Sequence, residues 1–289
     1  MPPVRVSSLL CPVCRDRLAV SGTRTLGCNT GHRFDAAKQG YFNFLVGKGT
    51  VFEADTAEMV AARFDFLSAG HYRPLADAVA DCAVRALAGG TPDTLQTVLD
   101  AGTGTGHYLR AVLDQAAREA APVQAVGLDI SKFALRRAAK LNPEAVNLVS
   151  DVWQPLPLAD SAVDVVTVVF APRNAGEFAR VLRPAGRLLV VTPRPGHLHE
   201  VAGRAGMLGI DPAKEERLAA SLGGSFSPVS TEDLDVPLRL VPEDVTRLAL
   251  MGPAGHHLDR TTLATLAAGL PPLTAVTARF RIGVFRPQG

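Results

Sequence analysis

Residues 98–107 read Val-Leu-Asp-Ala-Gly-Thr-Gly-Thr-Gly-His, an apolar β-branched run that ends on an acid and continues into glycines at 102, 104 and 106. Glycines at such spacing let a backbone turn sharply and approach a ligand closely, so a strand here is predicted to stop and open into a helix. The surrounding pattern agrees. Beyond Gly89-Gly90-Thr91-Pro92, short β-branched runs at residues 97–99, 123–128, 146–149, 163–170 and 187–192 alternate with helical stretches. Strands separated by helices imply a parallel sheet covered on both faces, which makes the chain α/β. Two further helices are expected over 242–251 and 259–268, and a long strand or hairpin arm over 274–285.

The glycine spacing also selects among ligands. A nicotinamide-type G-x-G-x-x-G places its third glycine at 107, where this chain has His107. An acid two residues before the first glycine, followed by G-x-G-x-G, is instead the pattern of S-adenosylmethionine sites in class I (Rossmann-like) methyltransferases. Candidate cofactor residues in this loop are Asp100, Gly102, Gly104, Gly106 and His107. The next strand ends in Asp129, 27 residues after Gly102 (129 − 102), where an acid binds ribose hydroxyls because ligands sit beyond the carboxyl ends of strands. Asp151 and Val152 close the following strand, one to accept from the adenine amino group and the other to pack on its ring. Phe170 and Arg173 end the strand after that, on the side that faces the transferable methyl group. A solvated loop aspartate and plain strand-end packing are the simpler readings of Asp129 and Phe170.

Cys11-Pro12-Val13-Cys14 and Cys28-Asn29-Thr30-Gly31-His32 give C-x2-C followed, after 13 residues, by C-x3-H. Two such pairs complete the tetrahedron that zinc prefers, and four protein ligands leave no position for water, so Cys11, Cys14, Cys28 and His32 are predicted to hold a structural Zn2+. Cys82, on the apolar side of a helix, reads as a buried inert thiol. At roughly 100–200 residues per domain, 289 residues leave room for one large domain and a small module. The predicted organisation is a turn-rich zinc-binding module over 1–50, helices over 51–90 broken at Gly70 and Pro74, and the cofactor domain over 91–289. Residues 1–50 hold 7 Arg/Lys against 2 Asp/Glu, a net charge of +5, with Arg15, Arg17, Arg24, Arg33, Lys38 and Lys48 as candidate phosphate contacts. Residues 51–100 hold 3 against 8, a net charge of −5. No apolar run approaches the ~18 residues of a membrane span, and the first 20 residues lack a secretory signal, so a cytoplasmic protein with no membrane partner is expected.

These motifs together resemble the RlmA family of bacterial 23S ribosomal RNA guanine-N1 methyltransferases. The resemblance extends to Gly31-His32-Arg33-Phe34-Asp35, Lys38-Gln39-Gly40-Tyr41-Phe42-Asn43, Ala69-Gly70-His71-Tyr72-Arg73-Pro74-Leu75 and Leu182-Arg183-Pro184. Ala54-Asp55-Thr56 and residues 170–174 look more like the Gram-positive branch, which includes the tylosin-resistance enzyme. The resemblance implies methylation of a guanine in the hairpin-35 loop of 23S rRNA at the peptide exit tunnel, a link to macrolide resistance, and a homodimer whose zinc modules flank an RNA cleft. Ala185 departs from the family's Pro-Gly-Gly turn. Guanine N1 carries a proton, so the site must remove it or stabilise the resulting anion; Glu177 is the candidate base, Arg173 the anion stabiliser and Phe170 the stacking surface for an unstacked base. The rival enzyme reading keeps fold and cofactor but takes a small metabolite as substrate. A purely RNA-binding or scaffold protein would leave the glycine loop and both strand-end acids as accidents.

Overall fold

The computed structural model describes residues 8–47, 50, 52–88, 95–121, 123–203 and 220–288. Strands β1 (Ala19–Val20), β2 (Thr25–Gly27) and β3 (Arg33–Asp35) form a small antiparallel sheet, and β4 (Phe42–Asn43) follows it. Two helices come next, α1 (Ala57–Ser68) and α2 (Arg73–Ala88). Thr56 caps α1 by accepting from the Met59 N–H, and Gly70, at φ +85°, ends the link between the two helices in a backbone conformation that other residues resist. The alternating part is β5 (Gln96–Ala101), α3 (His107–Arg118), β6 (Val123–Asp129), α4 (Lys132–Leu141), β7 (Val146–Val149), β8 (Val163–Val169), α5 (Ala175–Val181) and β9 (Leu182–Pro193). The C-terminal part contains α6 (His199–Ala202), β10 (Phe226–Leu240), α7 (Pro242–Leu250), α8 (Arg260–Ala268) and β11 (Thr274–Pro287).

The main sheet has eight strands in the order β10-β11-β9-β8-β5-β6-β7-β4. The six from β9 to β4 are parallel, and the long β10–β11 hairpin adds two antiparallel strands at one edge. From β5 the chain moves outward through β6 and β7, then returns to place β8 on the other side of β5. The strand order therefore reverses at β5, and the loops beyond the carboxyl ends of β5 and β8 flank the crevice where such sheets bind ligands.

Side chains alternate across the sheet and sort the core into two layers. Val98 and Val165 face a cluster with Leu75 and Val79 of α2, Leu109 and Val112 of α3, and Val245 and Leu248 of α7. Leu99 and Val166 face the opposite cluster, which contains Phe178 and Val181 of α5 together with Leu9, Cys11, Leu18, Leu26, Phe42 and Phe44. The N-terminal segment is thus one cover of the sheet. β4 pairs in parallel with β7, Leu9 bridges Leu158, and the Arg15 guanidinium donates to the Leu156 carbonyl at 2.8 Å.

Observed elements match the predicted strands and helices over residues 96–193 and both C-terminal helices. β4 lies within the expected 1–50 module yet pairs in the main sheet, and Phe42 and Phe44 bury their rings in the core it shares with the larger domain. The second helix, with Phe66 of the first, covers the opposite face of the sheet. β10 is not among the predicted strands: residues 230–233 are exposed and polar, and Pro228 and Pro237 interrupt the run, which an edge strand tolerates, although Leu234, Val236, Leu238 and Leu240 alternate in the manner of a strand. Ala185 lies exposed without positive φ, so its turn needs no glycine.

Phe42→Ala removes a ring that is 1% exposed. A buried aromatic truncation of this kind costs about 3–5 kcal/mol. Denaturant unfolding followed by far-UV circular dichroism is expected to show a loss of that size for the whole chain; a loss under ~1 kcal/mol would mean that the N-terminal segment folds apart from the sheet.

Candidate functional site

The predicted loop joins β5 to α3, and its three glycines all have positive φ: +79° at Gly102, +53° at Gly104 and +85° at Gly106. They serve different ends. A Cβ on Gly102 would lie 2.2 Å from the Ala171 Cβ, and one on Gly106 would lie 2.5 Å from Asn142 Nδ2 and 2.9 Å from the Ala138 Cα. These two glycines are required for packing. A Cβ on Gly104 would meet nothing nearer than Arg63 Cδ at 3.8 Å, so packing does not require this glycine and a ligand can approach its backbone closely.

Acids converge on that space from three strand ends. Asp129 accepts from the Gly104 N–H at Oδ2 (2.9 Å) and from the Ser131 N–H at Oδ1 (2.8 Å), which ties the glycine loop to β6. Burial raises its pKa while those two N–H donors pull it down. Asp151, beyond β7, accepts from Thr50 Oγ1 (2.8 Å) and the Trp153 N–H (2.9 Å), and each oxygen keeps a lone pair for a further donor. The neighbouring Val152 packs on the core, with its carbonyl held by Asn174 Nδ2 at 3.0 Å. Asp100 is fully buried at the end of β5. Thr167 Oγ1 donates to its Oδ1 at 2.7 Å, while its Oδ2 has no hydrogen-bond partner. Burial lifts the Asp100 pKa from 3.8 to about 6, opposed by Thr103 and Thr167 and reinforced by the Asp129 charge. An orphaned carboxylate oxygen at a glycine loop is an acceptor for a cation. A glycine cradle, an acceptor for an ammonium group and acids at the next two strand ends together fit S-adenosylmethionine.

His107 takes a different role from the predicted one. Its Nδ1 lies 2.9 Å from Thr105 Oγ1, its Nε2 lies 3.1 Å from Ser68 Oγ, and its ring packs edge-on against Phe64. Burial lowers its pKa to about 4, so the ring is neutral and locks α1 to α3.

On the acceptor side Phe170 adopts φ +56°, a strained conformation for a bulky residue and one that clusters at functional sites. Its ring is 46% exposed and lies 5.6 Å from Phe280 and 6.5 Å from Tyr108. Arg173 is partly buried, forms no hydrogen bond or ion pair with any described residue, and has its pKa lowered by burial. Glu177 does not suit the role of base. Its Oε2 accepts from Arg180 (2.7 Å) and from the Leu156 N–H (2.6 Å), its Oε1 accepts from Arg180 (2.8 Å), and these donors outweigh burial to hold its pKa low. An anchored, acidic carboxylate is a poor proton acceptor.

The four predicted zinc ligands come together, all donor atoms lying within 4.8 Å of one another. Cys14 Sγ and Cys28 Sγ are 3.6 Å apart, close to the ~3.8 Å edge of a tetrahedron with 2.3 Å zinc–sulfur arms. His32 presents Nδ1, 3.4 Å from Cys28 Sγ, and the Thr30 hydroxyl lies 2.9 Å from Cys14 Sγ. The cluster fits a structural Zn2+. Around it Arg17, Arg24, Arg33 and Lys38 are exposed, Arg24 also donating to the Ala37 carbonyl, whereas half-buried Arg15 donates to the Leu156 carbonyl as an internal brace. Lys48 lies outside the described residues.

Two residues escaped the sequence reading. Arg63 of α1 reaches over Gly104, and Tyr108 of α3 has a hydroxyl without a hydrogen-bond partner among the described residues, beside Phe170. Arg63 precedes the loop by some 40 residues, and no spacing signal connects the two.

The sheet order, glycine cradle and strand-end acids define a class I S-adenosylmethionine-dependent methyltransferase, here fused to a zinc ribbon. Residues 9–46 match the RlmA N-terminal zinc-ribbon family, and residues 98–189 match a methyltransferase domain family. A protein of Micromonospora griseorubida assigned to the 23S rRNA (guanine-N1)-methyltransferases is 46% identical over 99% of this chain and 100% of its own length. The 23S rRNA (guanine(748)-N1)-methyltransferase of Streptomyces fradiae is 45% identical over 98% of both chains, and YxjB of Bacillus subtilis is 33% identical over 68% of both. The chain belongs to the 23S rRNA (guanine-N1)-methyltransferase family. Among the described residues no helix is long and apolar enough to cross a membrane.

The Asp100 pKa carries a prediction with a definite sign. Because it is raised on folding, the stability it contributes is fully present below 3.8 and lost as pH rises through about 6. A bound ammonium group favours the ionised form, so affinity for S-adenosylhomocysteine is expected to tighten between pH 5 and pH 7. Asp100→Asn should weaken binding at pH 7 and flatten this dependence in calorimetric titrations; an unchanged pH profile would remove Asp100 from the site.

Proposed function

We propose that this chain transfers a methyl group to guanine N1 in the hairpin-35 loop of 23S rRNA, at the position named for the Streptomyces fradiae relative, guanine 748. The observation that carries this reading is the zinc ribbon built into one buried core with the cofactor sheet, its exposed Arg17, Arg33 and Lys38 on the same chain as the strained Phe170. The ribbon over residues 8–47 is the RNA-recognition part. The protein acts in the cytoplasm as a homodimer, a reading supported by β10, whose outer edge pairs with no other described strand. Methylation at this loop contributes to tylosin-type macrolide resistance.

S-adenosylmethionine supplies a methyl group on a sulfonium, open to in-line displacement. The chain's residues do the rest. Gly104 gives the backbone room to cradle the methionine end, Asp100 accepts from its ammonium group, Asp129 accepts from the ribose hydroxyls, and Asp151 with Val152 receives the adenine. Phe170 offers a face on which an unstacked loop guanine lies, and such stacking is worth ~1–3 kcal/mol per base. Arg173, partly buried and without an anion among the described residues, stabilises the charge on the guanine as N1 loses its proton, and the proton leaves to solvent at the exposed rim. Holding donor and acceptor in line supplies most of the acceleration.

Incubation with labelled S-adenosylmethionine and a hairpin-35 transcript should place the label on RNA, with reverse transcriptase stopping at the methylated guanine. Label in a metabolite extract and none in RNA would overturn the reading in favour of a small substrate. RNA affinity measured across a salt series should fall steeply, and reversing the charges of Arg17, Arg33 and Lys38 should lower the log-log slope by ~0.7–0.9 for each phosphate that is no longer neutralised. Coincident lines would remove the ribbon as the electrostatic clamp.

A further inference from the structure

Among the described residues, the Arg63 guanidinium is the cation that stands over the ligand face of the glycine loop. The space where a Gly104 Cβ would project has Arg63 Cδ at 3.8 Å and Nη1 at 3.9 Å as its nearest neighbours. Arg63 Nη2 donates to the Met251 carbonyl at 2.6 Å, which fixes the side chain between α1 and the end of α7. Its Nη1 pairs with Asp55 Oδ2, and both side chains are 25% exposed, so the pair faces the crevice rather than the core. Arg63 also acts electrostatically on Asp129 and on Tyr108, which senses Asp100 as well. One cation at the loop and one buried carboxylate oxygen without a hydrogen-bond partner at the end of β5 are the two kinds of group that the ends of an amino-acid zwitterion require.

Asp55 is the carboxylate that Arg63 currently holds. It belongs to a segment that leaves β4 and runs past the pocket: Thr50 donates to Asp151, the Asp55 carbonyl accepts from Ser131 Oγ at 3.1 Å, and Phe52 lies 6.3 Å from Trp153. A second partner is near Asp55, since His256 Nε2 lies 3.9 Å from its Oδ1, while His256 Nδ1 lies 3.4 Å from Glu53 Oε1.

We propose that Arg63 is the clamp for the carboxylate of the cofactor's methionine end, and that Asp55 occupies this clamp as an internal stand-in which the cofactor displaces. A planar guanidinium grips a carboxylate through two parallel N–H donors, and exchanging one carboxylate for another leaves its charge paired throughout. The displaced Asp55 turns toward His256. The proposal rests on the glycine loop being the cofactor site, and the test separates the two.

The probes are S-adenosylhomocysteine, which has the amino-acid end, and methylthioadenosine, which lacks it. The full chain is titrated with each. Binding of both by the parent establishes the pocket itself; binding of neither would overturn the pocket and the clamp together. Arg63→Ala is expected to lose tenfold or more in affinity for S-adenosylhomocysteine while methylthioadenosine affinity stays within twofold. An equal loss for both probes, or no loss for either, overturns the clamp while leaving the pocket in place. Asp55→Asn keeps Arg63 and removes the competing charge, so it should tighten S-adenosylhomocysteine several-fold with little effect on methylthioadenosine. Weaker or unchanged S-adenosylhomocysteine binding in this variant overturns the role of Asp55 as stand-in, and it gives a readout even if Arg63→Ala folds poorly.

Discussion

The parallel pairing of β4 with β7 holds this molecule together as a single enzyme. Only Phe42 and Asn43 take part, opposite Leu148 and Val149, with the Phe44 N–H donating to the Val149 carbonyl at 2.8 Å. Two residues of ladder contribute little alone. Their weight comes from what they align: Phe42 and Phe44 sink into the core beneath the sheet, and the chain emerging from β4 arrives at Thr50 in position to donate to Asp151 just beyond β7. The metal site is thereby connected to Asp151 beyond the end of β7.

Electrostatics in the crevice follow from the same geometry. Strand ends carry three acids toward one space, and burial raises the pKa values of Asp100 and Asp129. Backbone N–H groups offset this at Asp129, and Arg63 adds a positive charge from α1. Asp100 receives only partial compensation, which leaves an acceptor poised for a cation. The pocket is built to be satisfied by a ligand carrying both charges.

Where the sequence was legible, a short-range geometric requirement forced particular residue types into a fixed spacing. Three glycines at alternate positions mark a turn that side chains forbid, and C-x2-C with C-x3-H marks a tetrahedron. The strand-end acids could be placed because the strands themselves alternate with helices. What was hidden depends on long-range packing. Arg63 reaches Gly104 only because α1 packs beside α4 and α7. Glu177 looks like a free base until Arg180 and the Leu156 N–H are found on it. The first half of β10, polar and opened by Pro228, owes its strand to its pairing with β11, whereas Leu234, Val236, Leu238 and Leu240 in the second half carry an alternation that was legible.

The zinc ribbon and the cofactor sheet form one structural unit. Affinity for S-adenosylhomocysteine, measured by calorimetry before and after zinc is stripped with a chelator, tests it most directly. Loss of the metal should loosen the ribbon, because metal binding energy is also folding energy there, and β4 and the Thr50–Asp151 hydrogen bond should loosen with it. The expected result is an affinity reduced at least several-fold and restored when zinc is returned. Unchanged affinity in the zinc-free protein would show that the ribbon is an appendage and would contradict the account.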